Sequence, residues 1–173
     1  MQEKLSNYYK KFEKISRKKV DKRLEIYYTC LVGFTMQIDI RKLNAQKKYT
    51  GHIEFTYSAP ETLIEIPFVK FSAPVLVAFD YELYEDDALE INGTVSYRLE
   101  GQCSRCLKET SEEIVGELNA LFECRDDYED YGYKNGVVRL QQAVDEAIMA
   151  CMPFVLSCGE NCEGNSYIDK IED

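Results

Sequence analysis

The chain has 173 residues, 45% of them hydrophobic, and a formal net charge of −10. That length suits one domain with a real hydrophobic core, or a domain plus an extension, and the hydrophobic share excludes a disordered chain of this charge. No apolar run nears the roughly eighteen residues that span a bilayer.

The charge is divided unevenly. Residues 1–35 carry nine lysines and arginines against four carboxylates, a net of +5, whereas the remainder carries twelve against twenty-seven, a net of −15. An acidic body repels phosphate, which disfavours broad non-specific nucleic-acid binding by residues 36–173. It suits a partner rich in lysine and arginine, or RNA held through a local patch.

Residues 3–24 read as a polar, Lys-rich helix with Leu5, Tyr8, Phe12 and Ile15 at roughly helical spacing. This is a solvated extension or a basic arm that touches RNA. The apolar run 26–35 follows a basic stretch too long for a signal n-region, and no small-x-small cleavage pattern follows Phe34, so we read the protein as cytoplasmic. Met36 opens a strand, Met-Gln-Ile-Asp-Ile, where the charge changes sign. We therefore expect Met36 to be the natural start, residues 1–35 to be a basic helical extension dispensable for folding, and residues 36–173 to be the folded domain.

Beyond Met36 the pattern has period two. Ile53, Phe55 and Tyr57 alternate with His52, Glu54 and Thr56. Residues 63–69 are a second short apolar run, which Pro67 confines to an edge or bulge. Val75, Val77, Phe79, Tyr81 and Leu83 face one way in a longer strand, and Leu89, Ile91, Val95, Tyr97 and Leu99 do so in the next. The same phase runs through Asn92-Gly93, which favours one strand with Gly93 as a bulge or close-packing point over a hairpin turn. A tight knuckle at 103–106 leads to a returning strand marked by Ile114, Leu118, Ala120 and Phe122. Residues 125–136, acidic and tyrosine-rich, read as a mobile loop, and 137–140 as a brief strand. Residues 141–152 put Val144, Ala147, Ile148 and Cys151 on one helical face, and Pro153 ends that helix. The expected class is α+β: a mostly antiparallel sheet with a C-terminal helix and a cysteine knuckle.

Seven cysteines, an odd number, include pairs at C-x2-C and C-x3-C spacing, Cys103 with Cys106 and Cys158 with Cys162. Two short-spaced thiol pairs from distant elements supply the four soft ligands that a tetrahedral zinc ion takes. Free reduced thiols and redox or disulfide use are the alternatives. Cys30, Cys124 and Cys151 read as small apolar fillers. The single histidine, His52, sits on a polar strand face with no motif around it. The runs Glu85-Asp86-Asp87 and 126–130 read as solvated turns, and no phosphate loop or nucleophile motif occurs. A four-cysteine site is coordinatively closed, leaving no position for an activated water. We expect no enzymatic activity and no small-molecule substrate.

One family resemblance joins these residues. Ile91-Asn-Gly-Thr-Val, then Leu99-Glu-Gly-Gln-Cys-Ser-Arg-Cys-Leu107, the helix carrying Glu146-Ala-Ile-Met, Pro153 and Cys158-Gly-Glu-Asn-Cys-Glu-Gly164 together resemble the YceD family, the large ribosomal RNA subunit accumulation proteins of bacteria and plastids. The likeness covers about residues 36–166, and Cys-Ser-Arg-Cys-Leu is its most specific part. It implies a non-enzymatic accessory factor that supports accumulation of large-subunit ribosomal RNA. The partner would be a large-subunit precursor, met through RNA, a basic ribosomal protein, or both. Two departures stand out: Asn165-Ser166 replace a further family cysteine, and Leu156-Ser157 replace a proline-leucine pair. The zinc assignment is therefore argued from the residues present. Lys47, Lys48, Arg98, Arg105 and Lys108 are the candidate RNA contacts. The rival reading is a thiol-based redox or zinc-responsive regulatory protein in which Cys103 and Cys106 cycle between dithiol and disulfide.

Overall fold

A computed structural model describes residues 36–125, 131–159, 162 and 164; the expected helix over 3–24 and Cys30 lie outside the described residues. Its spine is a pair of long antiparallel strands, β5 (Leu89–Gln102) and β6 (Glu109–Cys124), in register from Leu89 opposite Phe122 to Gln102 opposite Glu109. On the other side of β5 lies β4 (Val75–Leu83), and outside it β2 (Thr50–Tyr57). The short β3 (Val69–Phe71) pairs with β5 just past the end of β4, opposite residues 99–101, so β3 and β4 share one edge of β5 end to end. A two-residue β7 (Gly132–Tyr133) joins β6 in parallel, and β1 (Gln37–Asp39) pairs with β8 (Val137–Arg139) as a separate ribbon. The class is α+β, a mostly antiparallel sheet with a C-terminal helix.

Alternation decides the faces. Val75, Val77 and Phe79 of β4, Leu89, Ile91, Val95 and Tyr97 of β5, and Leu118 and Phe122 of β6 are buried. The intervening residues point the other way, to an open face. That face carries Glu54 of β2, Asp80 and Glu82 of β4, Glu90 and Glu100 of β5, and Glu109, Glu113, Glu117 and Glu123 of β6. The lysine and arginine there, Lys70 and Arg98, are already tied to Glu100 at 3.1 Å and Glu113 at 3.4 Å. An antiparallel sheet tolerates one solvated face, which is why its strands alternate so cleanly.

The inner face is covered by helix α2 (Gln141–Ala150), which buries Ala143, Val144, Ala147 and Ile148. Each large aliphatic group so buried contributes about 1.5–3 kcal/mol. The helix comes close to β6 at Gly116, where a Cβ would sit 2.4 Å from Cys151 Sγ, a contact only glycine permits. Cys151 fills that gap and donates to the carbonyls of Ala147 at 3.2 Å and Ile148 at 3.4 Å. Tyr97 OH reaches across from β5 and donates to the Ile148 carbonyl at 3.0 Å, satisfying an acceptor in the last helical turn. At the other side of the sheet, Tyr57 of β2 donates to Asp145 at 2.8 Å.

Four sequence expectations change. The segment opening at Met36 is strand only over β1; Asp39 caps a helix, α1 (Ile40–Gln46), accepting from the Arg41 amide at 3.1 Å, and Lys47 closes it in the left-handed region. Residues 63–69 are not a strand: a 3-10 turn spans Glu61–Leu63 and pairing begins only at Val69, because Pro67 and the positive φ of Phe68 break the ladder. Within the expected loop 125–136, Gly132–Tyr133 is strand and Tyr133 is buried, donating to the Asp87 carbonyl at 2.5 Å; residues 126–130 lie outside the described set. Cys124 is exposed at the end of β6 and fills no core gap. Gly93 lies in unbroken register between Phe79 and Leu118, a close-packing point with no bulge.

Burial and the Cys151 hydrogen bond raise the Tyr97 phenol far above its usual range, and burial with nearby negative charge pushes Tyr133 up to about 12. A raised phenol contributes stability that is fully present below the unfolded value of about 10. It is lost as pH climbs from there through the folded value, because the unfolded chain ionises first. Tyr97→Phe should cost about 1–2 kcal/mol at neutral pH through loss of its buried hydrogen bond to the Ile148 carbonyl, and should flatten part of the alkaline decline. Urea melts at neutral pH and above about pH 10 check both.

Candidate metal centre

Past Gln102 the β5–β6 pair closes with a knuckle, not a hairpin of turn residues alone. The Cys103 amide donates to the Lys108 carbonyl at 2.9 Å, and the Leu107 amide returns to the Cys103 carbonyl at 2.9 Å. Leu107 takes a positive φ of 60°, tightening the loop around the Cys103 sulfur. Cys103 is buried and Cys106 half-buried.

The second pair arrives by a route that sequence spacing did not reveal. After α2, Pro153 turns the chain, and Leu156 inserts fully into the core. Its carbonyl accepts from the Ser104 amide at 2.9 Å, locking the tail directly to the knuckle. Cys158 therefore emerges beside Cys106, with sulfurs 3.7 Å apart, and Cys162 beside Cys103, also at 3.7 Å. All four sulfurs lie within 4.8 Å of one another, a group that could hold a metal ion. A disulfide would bring a pair to about 2.05 Å, so these are four free thiols converging on one point.

The electrostatics suit a bound thiolate. The amides of Cys106 and Arg105 donate to the Cys103 sulfur and lower its pKa to about 6, outweighing its burial. Cys158 moves the opposite way, up to about 12, because its thiol proton is shared first with Cys162 and then with Cys106. Acid adds protons that compete with a metal for the same sulfurs.

The other candidates disperse. Arg105 and Lys108 lie exposed on the knuckle. Arg98 sits on the open sheet face with Glu113. Lys47 and Lys48 follow α1, next to Tyr49, whose carbonyl accepts from Leu83 at the far end of β4. The length of β5 separates that end from the knuckle, about 40 Å at strand rise. His52 pairs with Asp80 at 2.8 Å on the open face. An open cleft of about 840 Å³ lies between α2 and the β7–β8 segment, but its carboxylates are engaged, Glu146 by Tyr131 and Gln142 and Asp145 by Tyr57. Among the described residues no helix is long and apolar enough to cross a membrane.

Comparisons with family models, with curated proteins and with solved structures give no match to this chain.

Protein purified without chelator should carry about one metal ion per chain, as a closed four-thiolate site does. Cys103→Ser or Cys158→Ser should abolish it and expose residues 153–164 to proteolysis, while the sheet persists in the far-UV spectrum. Elemental analysis and limited proteolysis of parent and variants decide this; a metal-free parent refutes it.

Proposed function

We propose that this protein is a non-enzymatic, cytoplasmic accessory factor in biogenesis of the large ribosomal subunit, built around one structural zinc ion. The observation that carries the reading is the Cys103-Ser-Arg-Cys106-Leu107 knuckle closed by Cys158 and Cys162, the element most specific to the YceD resemblance. Zinc–thiolate bonds of about 2.3 Å place the sulfurs of a tetrahedron about 3.8 Å apart. The 3.7 Å separations of Cys103–Cys162 and Cys106–Cys158 support that metal. Four thiolates fill its coordination sphere, so the ion would hold the tail on the sheet and activate no water.

The partner is a large-subunit precursor, met through its RNA, a basic ribosomal protein, or both. Arg105 and Lys108, projecting from a turn that zinc would hold rigid, are the RNA contacts of first choice. Cells lacking the protein should accumulate less large-subunit ribosomal RNA, with small-subunit RNA less affected. With two phosphate contacts, affinity for single-stranded RNA should fall with salt at a log–log slope of about −1.4. Replacing Arg105 and Lys108 together should flatten that slope and leave zinc content unchanged. Unaltered binding of precursor particles by the double variant would remove the knuckle as the RNA surface.

A second reading, a thiol-based or zinc-responsive regulator, is supported by one observation, four free thiols within 4.8 Å of one another, close enough to pair on oxidation. Metal content separates the two. Zinc that shields all four thiols from alkylation supports the structural role, and a metal-free protein with a reversible Cys103–Cys106 disulfide supports the regulator.

A further inference from the structure

We infer that the metal end of the sheet is the anchor of a protein-docking surface, and that its partner is a lysine- and arginine-rich polypeptide carrying apolar anchor side chains. The inference draws on residues outside the RNA reading of Arg105 and Lys108, so either can fail alone.

Four large apolar side chains are exposed at this end: Phe154 at 100%, Phe68 at 84%, Leu107 at 57% and Val155 at 55%. The backbone gathers them. Leu107 belongs to the knuckle, and Phe154 and Val155 immediately precede Leu156, whose carbonyl is bonded to Ser104. The Phe68 carbonyl lies against Gly101, two positions before Cys103, where a Cβ would come within 2.3 Å of it. Single exposed apolar residues need no explanation, but four large ones at one end of a small domain mark an interaction site.

Backbone strain points the same way. Phe68 and Leu107 both adopt φ of 60°, a region that bulky residues rarely occupy and that glycine or asparagine would enter without cost. Such conformations are strained for bulky residues, yet here they accompany two side chains held out in water. Phe154 lies between Pro153 and the core plug Leu156, so the chain is fixed on both sides of it. Rigid apolar anchors of this kind form the buried centre of protein interfaces, ringed by a polar rim.

Charge selects the partner. The open sheet face that runs into this end presents nine carboxylates against Lys70, Arg98 and Arg125, all already paired. Glu109 stands beside the knuckle opposite Gln102, and Glu82 opposite Glu90 forms a like-charge pair at the far end of the face, which a basic chain reaches by extending along β5. This potential attracts a basic chain and repels a phosphate backbone. A polypeptide that seats leucine or phenylalanine among Phe68, Leu107, Phe154 and Val155 would run its cations along the sheet.

Fluorescence anisotropy of the full chain with three probes tests this: a Lys/Arg-rich peptide bearing Leu and Phe anchors, the same peptide with the anchors changed to Ser, and single-stranded oligouridine. The anchored peptide should bind at least about tenfold tighter than the anchor-free one. Phe154→Ser with Val155→Ser should erase that difference, and Glu109→Lys with Glu117→Lys should weaken both peptides and flatten their salt dependence. Every substituted side chain is exposed, so metal content and melting should be unchanged; Leu107→Ser with Phe68→Ser is the second test should the first pair misfold. Equal binding of the two peptides, or binding of neither, overturns the proposal. So does oligouridine binding that depends on Phe154, which would make these aromatics base-stacking groups. Concentration-dependent dimerisation abolished by the Phe154 and Val155 changes would show that the occupant is a second copy of this chain.

Discussion

The full-length pairing of β5 with β6 is the constraint on which the other features rest. It runs unbroken through Gly93 opposite Leu118 and Val95 opposite Gly116, so both strands present one continuous apolar face. Gly116 then lets α2 come close, and Tyr97 reaches the carbonyl that the helix leaves unsatisfied near its end. Because α2 is seated there, Pro153 and Leu156 are delivered to the end of the sheet where the strands close over Cys103 and Cys106. A residue added to either strand would turn its side chains to the wrong face and separate the two cysteine pairs at once.

The two faces of the sheet therefore do different work. The inner face carries the stability of the domain: it is apolar, and no buried side-chain nitrogen or oxygen among the described residues lacks a hydrogen-bond partner. The outer face is charged, like-signed and open, and contributes little to stability through its few paired ions. Function is free to reside on that side and at the knuckle end, where changes of side chain do not disturb the packing beneath.

The long strands were legible because each buries one face, so period two is written plainly over β2, β4, β5 and β6. The cysteine grouping was legible for a different reason: short spacing is a covalent fact, and a tetrahedral ion constrains it. Helix α1 was hidden because it has only two turns, with Ile40 and Leu43 alone facing inward, too few to show a helical period beside a strand-like start. The run 63–69 misled because its apolar residues are half-buried packing for a turn, which hydrophobicity alone cannot distinguish from a strand. Leu156 and the exposed Phe68 and Leu107 could not be read at all. One leucine between a proline and a cysteine carries no pattern, and a positive φ at a non-glycine residue, in the turn before β3 or in the knuckle, has no mark in the local sequence.

The tail meets the knuckle between Cys106 and Cys158, which lie 52 positions apart in the chain. An ion gripping both closes a ring that contains β6, β8 and all of α2. A cross-link of that span acts mainly on the unfolded chain, whose freedom it curtails, and loop-closure entropy values it at about 4 kcal/mol. A metal held there would thus do for an acidic domain, swollen by its own repulsion when unfolded, what a long disulfide does elsewhere, and chelation could withdraw it without breaking a covalent bond.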